Sequence, residues 1–327
     1  MSASPAEVLA ELEADAAFVH ATLPPTPQIA WPLLARRAGA EVWVKHENHL
    51  PAGSFKPRGG LVYFRELLAR EPKVRGVVAA TRGNHGQSVP FAARRFGLPT
   101  TIVVPRANSR DKNAAMGALG ATLIEYGRDF QEAFEHAQKL AVAEGLHFVP
   151  SYHPWLVRGV ASYVLELLRA VPDLAVLYVP IGLGSGICAA IRARDALAAR
   201  TRIVGVVTER APTYALSFDA GKPVPTESAD TFADGLAVRV PNADALARIR
   251  SGAERVVTVS EAEVRAAVRA LFSDTHNVAE GAGAAALAGC LKERGQLAGR
   301  RVGVVLTGGN IDRALYARIL AEKEDGE

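Results

Sequence analysis

Short apolar runs alternate along the chain with segments in which apolar residues recur at helical spacing. The runs are rich in β-branched residues and end in glycine or polar residues, as in GVVAAT near Val77, TTIVVP near Ile102 and LAVLYVP at 174–180. Segments with helical spacing follow several of these apolar runs, for example the long segment Asp129–Glu144. This succession is typical of βαβ units. Because the runs are continuously apolar, they predict parallel strands that are covered on both faces.

Local signals mark the ends of several further elements. A capping box at residues 4–7, with proline at the first helical position, predicts an opening helix, and a second capping box lies at 260–263. Apolar alternation at 41–45 predicts a strand. The acidic end at 321–327 predicts a frayed tail. Other predicted helices are Phe91–Phe96, a helix after Ser109 and Ile187–Ala199.

Composition narrows the class of protein. At 327 residues the chain exceeds the size at which one hydrophobic core usually stops growing, so two domains or one large α/β domain are predicted. The 38 basic and 34 acidic residues are mixed along predicted helices, which argues against nucleic-acid binding. No apolar run approaches the roughly 20 residues of a membrane helix, and the N-terminus lacks the features of a signal peptide. Cys188 and Cys290 lie in small apolar surroundings, which predicts buried reduced thiols and a cytoplasmic location.

One lysine stands in an unusual local sequence. In KHENHLPAGSFKPRGG, residues 45–60, Lys56 has glycines on both sides, which keep the backbone slim so that a bulky group can approach. Two interpretations are open: a solvated surface charge, or an amine that forms a Schiff base with an aldehyde cofactor. The second requires a phosphate site and a partner for a pyridine nitrogen elsewhere in the chain.

Three loops that follow predicted strands offer such groups, at the edge where open α/β sheets bind ligands. The loop 182–186, GLGSG, presents backbone N–H groups before a helix, which suits a phosphate but also a tight turn, and it has neither the dinucleotide nor the nucleoside-triphosphate spacing. The loop 81–87, TRGNHGQ, can hold a carboxylate through Asn84 and His85, or these side chains are structural. The loop 307–310, TGGN, places a hydroxyl at a strand end or is a plain turn.

In order and spacing, six motifs resemble those of the pyridoxal-phosphate-dependent threonine/serine dehydratases and their serine racemase relatives. They are SFKPRGG at 54–60, TRGNHGQ at 81–87, GLGSG at 182–186, FADG at 232–235, EGAGAA at 280–285 and LTGGN at 306–310. The resemblance covers essentially the whole chain. It implies an α/β fold of two domains with twisted, mostly parallel sheets, as in fold type II enzymes (tryptophan synthase beta-like).

The resemblance also implies a domain plan and an assembly. A small domain at 74–148 is inserted into a large cofactor-binding domain made of 1–73 and 149–327, with the cofactor between them. The small domain closes over the substrate. A homodimer is the family expectation.

The implied cofactor is pyridoxal 5′-phosphate (PLP), with Lys56 as its Schiff-base lysine. Phe55 would pack by the ring, Asn84 would bond the phenolic oxygen, Thr307 would face the pyridine nitrogen and Glu280 would orient the ring or the substrate. The phosphate cradle implied by the resemblance is Gly182, Leu183, Gly184, Ser185 and Gly186. The implied ligands of the substrate carboxylate are Ser54, Thr81, Asn84 and His85.

A hydroxyl facing the pyridine nitrogen, unlike an aspartate, does not enforce a pyridinium, so β-elimination suits this ring better than transamination. The resemblance therefore implies a dehydratase (ammonia-lyase) that converts a β-hydroxy amino acid, such as L-threonine or L-serine, to a 2-oxo acid and ammonia. Lys56 would remove the α-proton. The alternatives are the same chemistry on phenylserine or hydroxyaspartate, and a catalytically silent ligand-binding relative.

The chain departs from the family pattern at several positions. Arg82 stands where racemases carry an acid/base serine, and because an arginine cannot act as a base, racemization is not expected. Arg82 either points to solvent or binds an extra anionic group of the substrate. Glu209 matches a carboxylate of the family's divalent-cation site, but Ala215 replaces its partner aspartate, so no metal is expected. Leucine and serine interrupt the usual glycine run of the phosphate loop, where Ser185 can still donate. Family members that bind isoleucine carry an additional regulatory domain beyond the region of Asn310, so allosteric control by isoleucine is not expected for the sequence given.

Overall fold

The protein, described by a computed structural model at residues 4–106 and 108–323, is built from alternating helices and strands. Residues 324–327 of the predicted acidic tail lie outside the described residues. The helices are α1 Pro5–His20, α2 Pro32–Ala38, α3 Lys56–Arg70, α4 Asn84–Ala93, α5 Arg110–Ala118, α6 Phe130–Glu144, α7 Pro154–Ala170, α8 Ser185–Ala196, α9 Thr213–Ala220, α10 Ala243–Gly252, α11 Glu261–Thr275, α12 Gly281–Lys292 and α13 Arg313–Leu320. The strands are β1 Gln28–Ala30, β2 Glu41–His46, β3 Val77–Ala80, β4 Thr100–Val104, β5 Ala121–Glu125, β6 His147–Phe148, β7 Val176–Pro180, β8 Arg202–Thr208, β9 Arg255–Val259 and β10 Arg301–Leu306.

The strands form two sheets. The six-stranded sheet has the order β1-β2-β10-β7-β8-β9, and the four-stranded sheet has the order β5-β4-β3-β6. The short β1 pairs with β2 in antiparallel fashion, whereas the other pairings described in both sheets are parallel. The predicted α/β class with mostly parallel sheets is confirmed.

Burial of the central strands follows the apolar runs of the sequence. Every residue of β3 and of β7 is buried, because helices cover both faces of each sheet. The apolar face of α3, with Leu61 and Phe64, packs in one cluster with Val77 and Ile102 of the four-stranded sheet. Helix α3 therefore covers a sheet whose strands all lie within 74–148, the predicted small domain. The division into two domains stays a prediction.

Local signals located the ends of some elements and missed others. Both predicted capping boxes form, at Ser4 and at Ser260. Helix α4 begins at Asn84, earlier than the predicted Phe91, and its apolar residues are buried on every side. The sequence analysis predicted no helix at 154–170, although Pro154 stands at a first helical position and the apolar spacing behind it is helical. Thr213–Ala220 is also helical, and no helix was predicted there.

Two further features bear on the class of protein. Cys188 and Cys290 are both buried and unpaired, and burial raises the pKa of their thiols to about 11 and about 12. Among the helices described at 4–106 and 108–323, none combines the length and hydropathy needed to cross a bilayer.

Candidate active site

Lys56 lies at the carboxyl end of β10, in the six-stranded sheet. Ser54 forms a β-bridge with Gly308, and the Phe55 N–H donates to the Thr307 carbonyl at 3.1 Å. These contacts bind the 54–56 segment to the end of β10, so that α3 starts at Lys56. The Lys56 amine lies 5.2 Å from the centre of the Phe55 ring.

The Lys56 amine is chemically unusual for a lysine. Burial lowers its pKa to about 8, and the carboxylate of Glu280 opposes this shift. A desolvated amine is deprotonated near neutral pH far more often than a surface lysine, so it can act as a nucleophile or a base. Of the two interpretations of Lys56, the environment favours the chemical one over the solvated charge.

The glycine loop after β7 lies beside this segment. Its residue Gly184 has φ 102°, which disfavours any residue with a side chain, and it precedes α8 without a side-chain cap. A Cβ atom on Gly182 would lie 2.2 Å from the Gly235 carbonyl oxygen, so the loop has no room for a side chain there. A Cβ atom on Gly186 would lie 3.9 Å from Cζ of Phe55, which puts the helix start next to the lysine segment. The uncapped N–H groups and the helix dipole favour an anion at this point.

The other members of the loop complete its environment. Ser185 is the first residue of α8 and is buried. The Leu183 carbonyl accepts a hydrogen bond from the Tyr214 hydroxyl at 2.9 Å, which anchors the loop to α9. Because the backbone of Leu183 makes this contact, its side chain is not needed to anchor the loop. A leucine can therefore stand at a position where the family usually has glycine.

The asparagine loop reaches the same place from the four-stranded sheet. Asn84 begins α4, and its Nδ2 donates to Oε1 of Glu280 at 2.6 Å. Its Oδ1 accepts from Nδ2 of Asn310 at 2.8 Å. Asn84 thus connects the four-stranded sheet to two loops of the six-stranded sheet. One N–H of its amide is left to contact a ligand.

Thr81 and His85 support the asparagine loop. Oγ1 of Thr81 accepts from the Gly83 N–H at 3.1 Å. His85 is buried with Nε2 3.5 Å from the Val149 carbonyl oxygen, and burial, aided by the positive charge of Lys56, lowers its pKa to about 3. His85 is therefore neutral at physiological pH and can contribute a hydrogen bond but no charge to a carboxylate.

Glu280 and Thr307 close the site on the side of the six-stranded sheet. Glu280 precedes α12, is buried, and its N–H donates to the Gly308 carbonyl at 3.1 Å. Burial raises the pKa of Glu280, whereas Lys112 and the hydrogen bond from Asn84 lower it. Thr307 is also buried, directly after β10.

Two buried hydroxyls near the lysine lack partners in the described part of the chain. They are Oγ of Ser54 and Oη of Tyr163. The Tyr163 hydroxyl lies 3.6 Å from the position of a Cβ atom on Gly186, and the Tyr163 ring packs edge-on to Phe55 with centroids 6.1 Å apart. Buried hydroxyls without partners are rare, so both are open to a ligand. The sequence carried no signal for Tyr163, which lies in the helix that was not predicted.

Arg82 lies at the edge of the site. Its side chain is 52% exposed, and its Nη2 atom is 3.9 Å from Oδ1 of Asp234. It therefore neither extends freely into solvent nor enters the centre of the site. Asp234 is held more closely by Lys112, whose Nζ atom donates to Oδ2 at 2.6 Å.

Three residues of the site were not predicted from the sequence, namely Lys112, Asp234 and Asn310. The last two belong to the FADG and LTGGN motifs and could have been inferred from them. Lys112 carried no signal, because its partners are remote in the sequence.

The two positions compared with the divalent-cation site of the family, Glu209 and Ala215, lie after β8, and the expectation that no metal binds there stays a prediction. Glu209 is exposed and Ala215 lies on α9. Across 4–106 and 108–323, no three His, Cys, Asp or Glu side chains cluster so as to hold a metal ion.

Two cavities differ in the residues that line them. One of about 650 Å³ is lined by Arg70–Val74, 141–142 and 145–148, and none of the predicted site residues lines it. The other, of about 40 Å³, adjoins Lys112, Asp234, Glu280 and Asn310. The small cavity, unlike the larger cleft, is lined by Glu280 and Asn310, the two hydrogen-bond partners of Asn84.

Comparison with known proteins gave consistent results. Residues 20–308 match the family model described as "Pyridoxal-phosphate dependent enzyme". The chain is similar to an L-threonine ammonia-lyase of Thermotoga maritima, with 36% identity over 88% of this chain and 72% of that one. It is also similar to an L-threo-3-hydroxyaspartate ammonia-lyase of Saccharomyces cerevisiae, with 32% identity over 92% of each chain.

Solved structures agree. The processed form of threonine deaminase isoform 2 from Solanum lycopersicum superimposes with a TM-score of 0.90 at 28% identity, covering 96% of this chain and 87% of that one. The family resemblance inferred from the six motifs is confirmed.

Proposed function

The chain belongs to the pyridoxal-phosphate-dependent enzymes and is a dehydratase (ammonia-lyase) among them, and we propose that it converts L-threonine or L-serine to a 2-oxo acid and ammonia. The observation that carries the proposal is the set of groups around one amine. Groups from separate parts of the chain lie around Lys56. They are the glycine loop, the asparagine loop, Glu280 and Thr307. The similarity to L-threonine ammonia-lyase supports this choice of substrate.

The chemistry of these residues fits PLP. The glycine loop suits a phosphate, since a Cβ atom on Gly182 would meet a carbonyl oxygen at 2.2 Å and any side chain there would fill the cradle. The Ser54 hydroxyl is buried without a partner in the described residues, and the Lys56 amine has a pKa of about 8. When bound, PLP supplies an aldehyde carbon that captures an amine and a ring that withdraws electrons from the substrate Cα. We propose that Lys56, Phe55, Asn84, Glu280, Thr307 and the 182–186 loop hold it.

The reaction requires a carboxylate site and a base. Ser54, Thr81, Asn84 and His85 provide hydroxyl, amide and imidazole groups that can bind the substrate carboxylate without a full positive charge. Lys56 acts as the base, because its neutral amine accepts the proton from the substrate Cα. The β-hydroxyl then leaves as water with one proton, which balances the proton that Lys56 took from Cα. The released enamine tautomerizes, and water hydrolyses it to the 2-oxo acid and ammonia.

A substrate panel tests this function. We expect 2-oxo acid and ammonia from L-threonine and L-serine, and no turnover by a Lys56→Ala variant, which also loses the visible absorbance of the wild type incubated with PLP. The panel includes phenylserine and both the threo and erythro forms of 3-hydroxyaspartate. A wild-type protein that releases ammonia from none of these substrates would overturn the proposal.

A second candidate substrate is 3-hydroxyaspartate, and Arg82 is the observation that favours it. The guanidinium is half exposed and 3.9 Å from Asp234, so it can bind another carboxylate in the site. The similarity to an L-threo-3-hydroxyaspartate ammonia-lyase supports this candidate. Under this proposal Arg82 is a specificity residue that recognises the β-carboxylate.

Arg82→Ala distinguishes the two candidates. If Arg82 binds the β-carboxylate, this variant loses about 10²-fold in kcat/KM for 3-hydroxyaspartate and much less for L-threonine, since a charge-assisted hydrogen bond contributes about 1.5–3 kcal/mol. Arg95→Ala, an exposed arginine beyond the other end of α4, is the matched control and leaves both values unchanged. Equal losses for the two substrates would exclude a specificity role.

We also propose that the protein is a cytoplasmic homodimer. Two buried, unpaired cysteines support a reducing compartment. The dimer rests on the family resemblance, and light scattering coupled to gel filtration tests it directly. A single species of about 34.6 kDa, the mass of one chain, would contradict the dimer.

A further inference from the structure

Lys112 is a buried amine between the two sheets. It lies in α5, which packs on the four-stranded sheet, and is only 9% exposed. Its Nζ atom donates to Asp234, in the loop between β8 and β9 of the six-stranded sheet. The same atom lies 3.9 Å from the position of a Cβ atom on Gly83, so it also adjoins the asparagine loop.

Carboxylates from the connecting segments next to the six-stranded sheet lie around this amine. Burial lowers the pKa of Lys112, but the charges of Asp234, Glu280 and Asp312 outweigh it, and the pKa is raised. Lys112 therefore remains an ammonium. Burial raises the pKa of Glu280, and the charge of Lys112 opposes that rise, as does the hydrogen bond that Glu280 accepts from the Asn84 amide.

Two other polar contacts attach the same helix to the six-stranded sheet. The Ser109 hydroxyl donates to Asp312, and the Arg313 N–H donates to Oδ2 of Asp111 at 3.4 Å. By contrast, the buried apolar residue of α5, Met116, joins the cluster of the four-stranded sheet. Helix α5 therefore packs on its own sheet through apolar contacts and meets the other sheet through polar ones. Polar contacts of this kind open at a lower free-energy cost than a shared apolar core.

We propose that Lys112 and Asp234 form a clasp that holds α5 and the asparagine loop closed over Glu280 and Lys56. In this role Lys112 is a positioning residue for the reaction, acting through Asn84 and Glu280. The effect of the clasp on catalysis rests on the proposed function, whereas the clasp itself does not. When the clasp opens, substrate can enter, and when it forms, the site excludes water.

Amide hydrogen exchange of the holoenzyme tests the clasp without any substrate. We expect Lys112→Met and Asp234→Asn each to accelerate exchange about tenfold or more at 109–118 and 84–93, with little change in the core strand β7. Lys112→Arg keeps the charge and restores slow exchange. Lys292→Met removes a lysine that pairs with Glu263 on the surface, at the opposite end of α12 from Glu280, and is the matched control with no effect.

Kinetics supply the second readout. If Lys112 positions the site, Lys112→Met lowers kcat about tenfold or more while the thermal midpoint stays near that of the wild type, and Lys112→Arg recovers most of the rate. A double variant that exchanges the two charges, Lys112→Asp with Asp234→Lys, restores slow exchange at 109–118 in part.

The clasp is overturned if neither Lys112→Met nor Asp234→Asn changes exchange at 109–118. It is also overturned if exchange accelerates equally throughout the chain, because that result indicates a general loss of stability. A wild-type protein that releases no ammonia from the substrate panel, but shows the expected exchange, would reject the proposed function and leave the clasp intact.

Discussion

At the scale of single residues, the chemistry depends on how the fold treats the Lys56 amine. Below its pKa the amine is protonated and cannot attack an aldehyde or accept a proton. Burial lowers that pKa from the ordinary value of 10.5 to about 8, and Glu280 opposes the change. The neutral, reactive form therefore becomes available at a lower pH than in a surface lysine.

This shift predicts a pH dependence for cofactor capture. The rate at which the cofactor-free protein binds PLP should rise with pH and level off above about 8, the pKa of Lys56. Glu280→Gln removes the charge that raises the pKa, so it moves this plateau to lower pH. Stopped-flow absorbance measures both.

The reaction of PLP with Nα-acetyl-lysine provides the control for titration of PLP itself. For that free amine the rate keeps rising to about pH 10.4. A protein rate that rises over the same range would show that Lys56 is not perturbed.

At the scale of elements, a buried ion network fixes α3, the helix that begins at Lys56. Arg58 is fully buried, and its guanidinium bonds Glu47 at 2.7 Å and Glu166 of α7 at 2.5 Å. Lys45 of β2 bonds the same Glu166 at 2.5 Å. These four side chains, two positive and two negative, join β2, α3 and α7, and Arg58 stands two positions after Lys56 in α3.

Removing one charge from this network should be costly. Arg58→Met leaves two buried carboxylates, Glu47 and Glu166, with Lys45 and the His20 imidazole beside Glu166, and breaking a buried ion pair from one side costs about 3–5 kcal/mol of unfolding free energy. Urea unfolding measures the loss. Arg128→Met removes an exposed pair with Glu132 and is the control, with an unchanged midpoint.

The same network gives stability a pH dependence. Burial raises the pKa of Glu166, but Arg58 and Lys45 outweigh it, and the folded-state pKa lies below the ordinary value of 4.5. The contribution of Glu166 to the free energy of unfolding is present above its unfolded-state pKa. It is lost as the pH falls through the folded-state pKa. Arg58→Met should therefore flatten the decrease of stability in acid. An equally steep decrease in both proteins would contradict this origin.

At the scale of the whole molecule, the site exists only where the two sheets meet. Asn84 and His85 follow a strand of the four-stranded sheet. The other site residues lie next to strands of the six-stranded sheet, and they are Lys56, the 182–186 loop, Glu280 and Thr307. A ligand that contacts both groups should stabilise both sheets.

Binding of PLP should therefore raise the thermal midpoint and slow amide exchange at 84–93 and at 185–196 together. At a PLP concentration of 100 times the dissociation constant, linkage adds about 2.7 kcal/mol to the free energy of unfolding. Lys56→Ala should reduce the gain. Protection confined to 185–196 would mean that PLP contacts the six-stranded sheet alone.

Sequence and structure contributed differently to this picture. Most of the longer strands, the two capping boxes and the family could be predicted from the sequence, because caps, apolar runs and motifs act over a few neighbouring residues. Lys56 could be singled out by its flanking glycines, and Asn84 and Glu280 by their motifs. Their individual roles toward the cofactor stay predictions.

Only the tertiary structure decided how these groups meet. Lys112 and Asp234 are 122 positions apart, and Asn84 and Glu280 are 196 apart. Such pairs depend on the order of strands in two sheets and on the packing of one sheet against the other, which no local pattern encodes. For the same reason the perturbed amine of Lys56 became visible only in the folded chain, since desolvation is a property of everything that packs around it.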